Sequence, residues 1–411
     1  MISLKKALKI VLNEVNKLEP LPREKVGLLS SYGRVLAEDV RVDFDVPPFD
    51  RSAMDGYAVI SEDTLKASPE NPLILKVTGD LPAGSEANFT LAKGKAIRIM
   101  TGAPMPSEGD AVVMLEDTRM LSNGSEVEIF TEVSPGENVS FKGEDVKKGE
   151  FILSRGRLIG AAEVGMLASL GRREVFVRKR PEVSIIVTGE ELREPGQKLS
   201  EGKIYNSNSY ALFCQALSCG ALPRNLGIAG DEKKKILSKV KEGLKSDILV
   251  LSGGVSVGKY DLVKEALGDA GIKTLFWKVA VKPGKPTFFG VKERTLVFGL
   301  PGYPVSSMLN FENLIKPAIF FMLGRKDWNR LTLKAHLKED IKNKSKRENF
   351  IRVKMTKERG EWWATPVSSQ KSGVLKSLIQ ADGLIIVPGE VEKVKAGKKV
   401  EVEILNWRGI E

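Results

Sequence analysis

The spacing of hydrophobic positions changes from one region of the chain to the next. From Ser3 to about Lys17, Leu4, Leu8, Val11, Leu12 and Val15 recur every three or four residues. That period predicts an amphipathic helix, which Pro20 and Pro22 end. Beyond the Val46-Pro47-Pro48 hinge come short β-type runs divided by Gly and Pro: Leu73–Val77, Ala96–Met100, Ala111–Leu115 and Glu126–Phe130. A small β-rich domain is expected there, followed by a helix over 158–170. Between Pro181 and about Leu323, apolar strands alternate with glycine loops and helices. Val183–Val187 runs into TGEEL, Asp247–Leu251 into SGGVSVG and a helix over Asp261–Leu267, and Thr295–Leu300 into PGYPVSS and a helix through Phe311. This rhythm predicts a parallel, doubly wound α/β sheet. After Arg325 short strands return at Leu331–Leu337, Phe350–Met355, Leu384–Val387 and Lys399–Ile404, as in a small β-barrel or sandwich.

The 411 residues suffice for several domains with cores of their own. No apolar run reaches the length of a membrane span; the nearest, Leu314 to Leu323, is broken by Lys316 and Pro317. Lysines interrupt the apolar positions of the first fifteen residues, so they do not read as a secretory signal, and a soluble cytoplasmic protein is expected. Cys214 and Cys219 are the only thiols, and their spacing fits no zinc pattern; two buried core cysteines are expected. The single histidine, His336, is expected at the surface. These counts exclude Ser-His-Asp and Cys-His catalysis and any His-rich metal site. What chemistry remains must use carboxylates, lysines, hydroxyls, backbone amides and a hard cation held by oxygens.

The formal net charge is +11. From Arg325 to Glu411 there are 20 Lys and Arg against 12 Asp and Glu, so most of the excess lies at the C-terminal end. A basic balance favours anionic ligands. No nucleic-acid-binding motif accompanies it, so a solvated lysine face is the plainer reading and no nucleic-acid partner is expected.

In an open α/β sheet, ligands bind outside the carboxyl ends of the strands. Three loops fall there. Ser252-Gly253-Gly254-Val255-Ser256-Val257-Gly258 lets backbone amides approach an anion without Cβ interference, ahead of a helix N-terminus. Pro301-Gly302-Tyr303-Pro304-Val305-Ser306-Ser307 repeats the device and adds hydroxyls. Neither is a Walker or dinucleotide fingerprint. In FWKVAVKPGKP, Lys278, Ala280 and Lys282 are expected to share one strand face, and Lys285 follows. Three ammonium groups near phosphate-type loops point to an oligoanionic ligand; snorkelling edge lysines are the plainer alternative. Glu190, Glu191 and Asp261 follow strands, where Mg²⁺ could bridge to a phosphate, although Asp261 reads equally well as a helix cap. Further toward the N-terminus, the polar stretch Asp45–Val59, with Asp55, has no core periodicity and reads as a functional loop. Ile97–Pro104 ends its strand in the Thr101 hydroxyl and a Gly turn, and Gly143-Glu144-Asp145 adds carboxylates.

Eight motifs together, PPFDRSAMDGYAV, GDLPAG, RIMTGAPMPSEGDAVVMLED, GENVSFKGEDV, TGEEL…PGQ…IYNSN, LSGGVSVGKYD, VKPGKP and LPGYPVS, resemble the molybdopterin molybdotransferase family, which includes the E domain of gephyrin. They occur in the family's order from about residue 4 to the end. The resemblance implies a homodimer of four-part chains. Its parts would be an elongated helical and strand segment (1–45 with 146–178), a small β-rich domain (46–145), a molybdopterin-binding α/β domain (179–325) and a C-terminal β-barrel (326–411). It implies insertion of molybdenum from molybdate into adenylylated molybdopterin, with release of AMP and assistance from Mg²⁺. The cleft would lie between the α/β domain of one subunit and the N-terminal domains of the other.

By motif, Asp55, Thr101, Asp145, Glu191, Asp231, Asp261, Lys278, Lys282, Pro301 and Pro304 occupy positions similar to the family's functional ones. Asp55, Thr101 and Asp145 would complete the site from the partner subunit. Glu191 and Asp261 would organise metal or phosphate. Lys278 and Lys282, with Lys285, would bind phosphate or oxyanion. The loops Ser252–Gly258 and Pro301–Ser307, including Ser252, Gly253, Gly254, Ser256, Gly258, Pro301, Gly302, Pro304, Ser306 and Ser307, would cradle pterin phosphate and molybdate. The chain departs from the family where Glu190 replaces the usual Asp, Tyr303 the usual Asn and Lys142 the more common arginine. Expected partners are a molybdopterin adenylyltransferase and acceptor molybdoenzymes, with no membrane. The alternatives are a non-catalytic molybdopterin-binding scaffold of the same fold and a tungstate-specific insertase.

Overall fold

A computed structural model describes residues 1–86, 88–121, 124–254, 262–325 and 330–405. Ser256, Gly258 and Asp261 lie outside the described residues.

The α/β domain is built on six strands in the order Leu222–Ala229, Glu182–Thr188, Ile248–Ser252, Thr295–Leu300, Pro286–Lys292, Lys273–Lys278. The first four are mutually parallel. Pro286–Lys292 runs antiparallel to both of its neighbours, a reversal that the purely parallel expectation did not contain. Its cause is local. Only Glu293 and Arg294 separate it from the next strand, with Glu293 at φ +50°, and a connection that short makes a hairpin, never a crossover.

Alternate residues of the strands feed two cores. Val183, Ile185, Ile248, Val250, Leu296 and Phe298 face helices Asn208–Ser218 and Pro304–Asn310. Ile186, Leu249, Leu251 and Val297 face helices Lys233–Gly243 and Leu262–Asp269. Burial on both faces is why these strands read as continuous apolar runs.

The N-terminal helix, Leu4–Lys17, is capped by Ser3, whose hydroxyl accepts from the Lys6 amide at 3.2 Å. It buries Ala7, Val11 and Val15 in the first α/β core, beside the π-helical turn Phe311–Ile315 and helix Lys316–Met322. The buried stripe therefore steps through Ala7, with Leu4 and Leu8 partly covered at its margin.

From there the chain leaves the α/β domain and later returns. Arg23–Gly27 pairs antiparallel with Glu174–Arg178, and Val40–Arg41 with Phe151–Leu153. Leu36, Val40, Leu153, Leu167, Val175 and Val177 form the core between these pairs. Beyond them, six strands make a sheet in the order Ala111–Met114, Gly56–Val59, Lys95–Ile99, Leu73–Leu81, Glu126–Ile129, Thr118–Leu121, with an apolar cluster on each face. The expected β-rich domain is thus built on this six-stranded sheet, with Arg51–Ser52 and Val139–Ser140 paired as a separate short ribbon.

At the C-terminal end five strands close into a barrel in the order Glu348–Glu358, Glu361–Pro366, Thr332–Leu337, Lys399–Ile404, Gly383–Val387. Closure comes from the last strand pairing back onto the first. The fold is thus a doubly wound α/β domain, a β-rich domain and a β-barrel.

Cys219 is buried, and burial pushes its thiol up to about 12. Cys214, expected to be buried too, is exposed. Five residues on a helix rotate a side chain by about 140°, so one core face cannot take both. The His336 ring stands on a barrel strand, with Nε2 2.5 Å from the Glu361 carboxylate.

Candidate active-site clefts

The strand order reverses at Glu182–Thr188, whose connection goes to Leu222–Ala229 on one side before the chain crosses to Ile248–Ser252 on the other. The carboxyl ends of those strands flank a switch-point crevice, and a cleft of about 850 Å³ opens there. Thr188, Gly189 and Glu191 reach it from the first strand, and Asp231 from the loop after Leu222–Ala229. Ser252, Gly253 and Gly254 follow the third strand, and Pro301, Gly302 and Pro304 follow Thr295–Leu300.

The glycine turn is dictated by space. Gly253 has φ +97°, and a Cβ on it would lie 2.4 Å from the Thr188 carbonyl oxygen. Gly254 has φ +66°, and its Cβ would lie 2.3 Å from Val263 Cγ2. Neither position has room for a side chain, so the turn lines the cleft with bare backbone, held where the Gly253 amide donates to the Leu300 carbonyl at 3.1 Å. Beneath the turn, the Thr188 hydroxyl is buried without a hydrogen-bond partner.

Two polar networks brace the rim. The Asn208 side-chain amide donates to the Ser252 hydroxyl at 2.9 Å and to the Gly302 carbonyl at 2.8 Å. Ser252 in turn donates to the Pro301 carbonyl at 3.2 Å and lies 3.2 Å from the Ser307 hydroxyl. Both serines are buried, so their hydroxyls are spent on holding the two loops together. On the opposite side, the Glu190 amide donates to Asp231 Oδ2 at 3.3 Å, and the Asp231 amide to Glu190 Oε1 at 2.9 Å.

A second cleft of about 990 Å³ lies between the α/β domain and the barrel. It shares Pro286, Pro301, Tyr303 and Gly373 with the first. Lys282, Lys285 and Ser306 line it, joined by Lys342, Arg347 and Lys371 and by the carboxylates Glu339 and Asp340. Asp340 is already neutralised by Lys393 at 2.5 Å. One wall is the loop Gln370–Val374, fixed where the Val305 amide donates to the Ser372 carbonyl at 3.1 Å. Under this loop Arg352 is fully buried. It donates to the Ser369 carbonyl at 3.3 Å and leaves Nε and Nη1 without partners, and burial pushes its pKa down to about 10. The cleft is thus strongly cationic on geometry alone.

The expected single lysine face does not form. The strand Lys273–Lys278 ends where Val279 bridges to Ile2 and the Ala280 amide donates to the Ile2 carbonyl at 2.7 Å. Val281–Lys282 is a separate strand that pairs in parallel with the barrel at Glu348 and Asn349. Lys282 and Lys285 therefore join the second cleft, whereas Lys278 lines a small hollow beside Met1, Ile2 and Trp277.

Asp55, Thr101 and Asp145 belong to the N-terminal part. The Asp55 carboxylate accepts both the Thr101 amide and the Thr101 hydroxyl, each at 2.7 Å. The amide first, and then the hydroxyl, hold its pKa below the usual aspartate value. Asp145 is exposed, and its amide donates to the Val46 carbonyl at 3.0 Å. Among the described residues, neither cleft is lined by anything from 46–145.

Thr188, Asn208 and the loop Lys371–Leu375 were not singled out as site residues from the sequence. The first two sit in the TGEEL and IYNSN motifs and could have been flagged as strand-end polar residues. The loop carries no local signal, because only barrel packing brings it to the α/β domain.

Comparison with known proteins gives one consistent answer. Family models for the MoeA N-terminal region (domain I and II), a probable molybdopterin binding domain and the MoeA C-terminal region (domain IV) match residues 2–171, 184–320 and 334–405. The molybdopterin molybdenumtransferase of Bacillus subtilis is 38% identical over 385 residues, covering 93% of this chain and 90% of that one. That of Staphylococcus epidermidis is 34% identical over 402 residues, covering 98% and 95%. The crystal structure of the molybdopterin biosynthesis MoeA protein from Pyrococcus horikoshii aligns with a TM-score of 0.81 at 34% identity, covering 98% of this chain and 100% of that one. With the switch-point cleft, the closed barrel and these relatives in agreement along nearly its whole length, the chain belongs to the molybdopterin molybdenumtransferase (MoeA) family, transferases of molybdenum cofactor biosynthesis.

Proposed function

We propose that this protein transfers molybdenum from molybdate to the dithiolene of adenylylated molybdopterin and releases AMP. The observation that carries the reading is the junction of two clefts of different chemistry at Pro286, Pro301, Tyr303 and Gly373. The first, with carboxylates and an open glycine backbone, suits a pterin nucleotide. The second, with Lys282, Lys285, Lys342, Arg347 and Lys371, suits a tetrahedral dianion. Molybdenum takes its soft ligands from the pterin sulfurs, so a chain with two cysteines and one histidine lacks nothing that the transfer needs.

The donor set of the first cleft fits Mg²⁺. Glu191 and Asp231 offer hard carboxylate oxygens there. Among the described residues no three His, Cys, Asp or Glu side chains converge, which fits an ion sharing its coordination with substrate phosphate rather than one in a protein cage. Glu191 and Asp231 would hold it, together with the Asp261 of the sequence-based assignment. Bound there, Mg²⁺ would supply charge neutralisation during cleavage of the phosphoanhydride.

Asp55, Thr101 and Asp145 stand apart from both clefts of their own chain, which supports a homodimer whose partner subunit supplies them. Purified protein incubated with adenylylated molybdopterin, molybdate and Mg²⁺ should release AMP in step with molybdenum bound to pterin. Pterin binding without AMP release would identify a non-catalytic scaffold. Turnover with tungstate but not molybdate would identify a tungstate-specific insertase.

A further inference from the structure

We propose that the exposed ring of Tyr303 is the stacking platform for the pterin ring system, set where the two clefts meet; this rests on the functional reading above. Tyr303 lines both clefts, yet the residue is 65% exposed. Its backbone is firmly placed. The Tyr303 carbonyl accepts the Ser307 amide at 3.0 Å, Pro304 starts the following helix, and the Asn208 amide grips the adjacent Gly302 carbonyl at 2.8 Å. On one side the ring faces the barrel loop at Gly373, where an added Cβ would lie 3.5 Å from Tyr303 Cδ1. A ring fixed at its root, backed on one side and open to the clefts gains by covering its apolar surface with a flat heterocycle.

Chemistry decides which heterocycle. Molybdenum can pass to the dithiolene only if those sulfurs lie beside the bound oxyanion. The ring system fused to the dithiolene must then sit at the boundary of the cationic cleft, where Tyr303 stands. The nucleotide end is left the remainder of the first cleft, along Thr188, Glu191 and Asp231.

The test measures binding of three separate probes to the full chain: 2-amino-4-hydroxypteridine, AMP and molybdate. Tyr303→Ala should weaken pteridine binding about ten-fold, the usual scale of a lost aromatic stack. Tyr303→Phe should retain it, and AMP and molybdate affinities should stay within about two-fold in both variants. Thermal melting should be unchanged, because the side chain is exposed; if Tyr303→Ala does not fold, Tyr303→Asn carries the same test. Unchanged pteridine affinity in the variant lacking the ring would overturn the proposal. A loss confined to AMP would overturn it too, by placing adenine on the ring. Wild-type protein that binds molybdate and AMP but no pteridine removes the stacking role alone, whereas one that binds none of the three removes the functional reading with it.

Discussion

Glu190 and Asp231 each accept the other's backbone amide, at 2.9 and 3.3 Å, and so lock together the loops that follow two neighbouring parallel strands. The pairing leaves one oxygen of each carboxylate uncommitted to it, and Asp231 lines the first cleft. A single reciprocal contact thus shapes the rim and presents charge to the ligand.

Asp231→Asn separates those two tasks. The amide oxygen can still accept the Glu190 N–H, so the melting temperature should move by no more than about 2 °C. AMP release should nonetheless fall about a hundred-fold, because a neutral amide cannot balance phosphate and cation charge. Wild-type turnover in a folded Asp231→Asn protein would remove Asp231 from the chemistry.

Gly253→Ala tests the glycine turn. The new Cβ would meet the Thr188 carbonyl oxygen at 2.4 Å with φ held at +97°. Strain and clash together should cost at least about 2 kcal/mol of stability. Urea denaturation reads this directly; a variant as stable as wild type would show that the turn has room to relax.

Asp55 gives a pH prediction with a definite sign. Hydrogen bonds from Thr101 lower its folded-state pKa. Its contribution to stability is therefore fully present above the unfolded aspartate value of about 3.9 and is lost as pH falls through the lower folded value. Between pH 5 and 8 it stays ionised, so no limb of the activity profile in that range should come from it. Thr101→Val removes the hydroxyl donor but keeps the amide, and should raise the Asp55 pKa part of the way back. Carboxyl-carbon NMR titration measures both values, and an identical Asp55 pKa in the two proteins would contradict the hydroxyl's role.

A site completed by a second subunit predicts rescue on mixing. Asp55→Ala and Glu191→Ala chains should each be inactive alone. In a hybrid dimer one site would carry both lesions and the other neither. Random exchange yields about half hybrids, so activity should return to roughly a quarter of wild type if the sites act independently. Native mass spectrometry of differently tagged chains verifies exchange; hybrids without activity would mean that each site is built within one chain.

The parts whose cause is local were legible along the chain. Val183–Val187, Asp247–Leu251 and Thr295–Leu300 read as buried parallel strands because both their faces are apolar, and strands occur there as Glu182–Thr188, Ile248–Ser252 and Thr295–Leu300. Glycines at 253 and 254 announced a backbone-lined turn, and eight motifs in order pointed to the family. What depends on distant packing emerged only in the folded chain. Lys278 parted from Lys282 because the N-terminal strand bridge at Ile2 and the barrel strand at Glu348 claim the intervening backbone. The loop Gln370–Val374 came to the second cleft because barrel packing carried it there. Cys214 faced solvent because one helix has one core face. Local periodicity records which side of an element is buried; it holds no record of which other element, hundreds of residues away, supplies the cover.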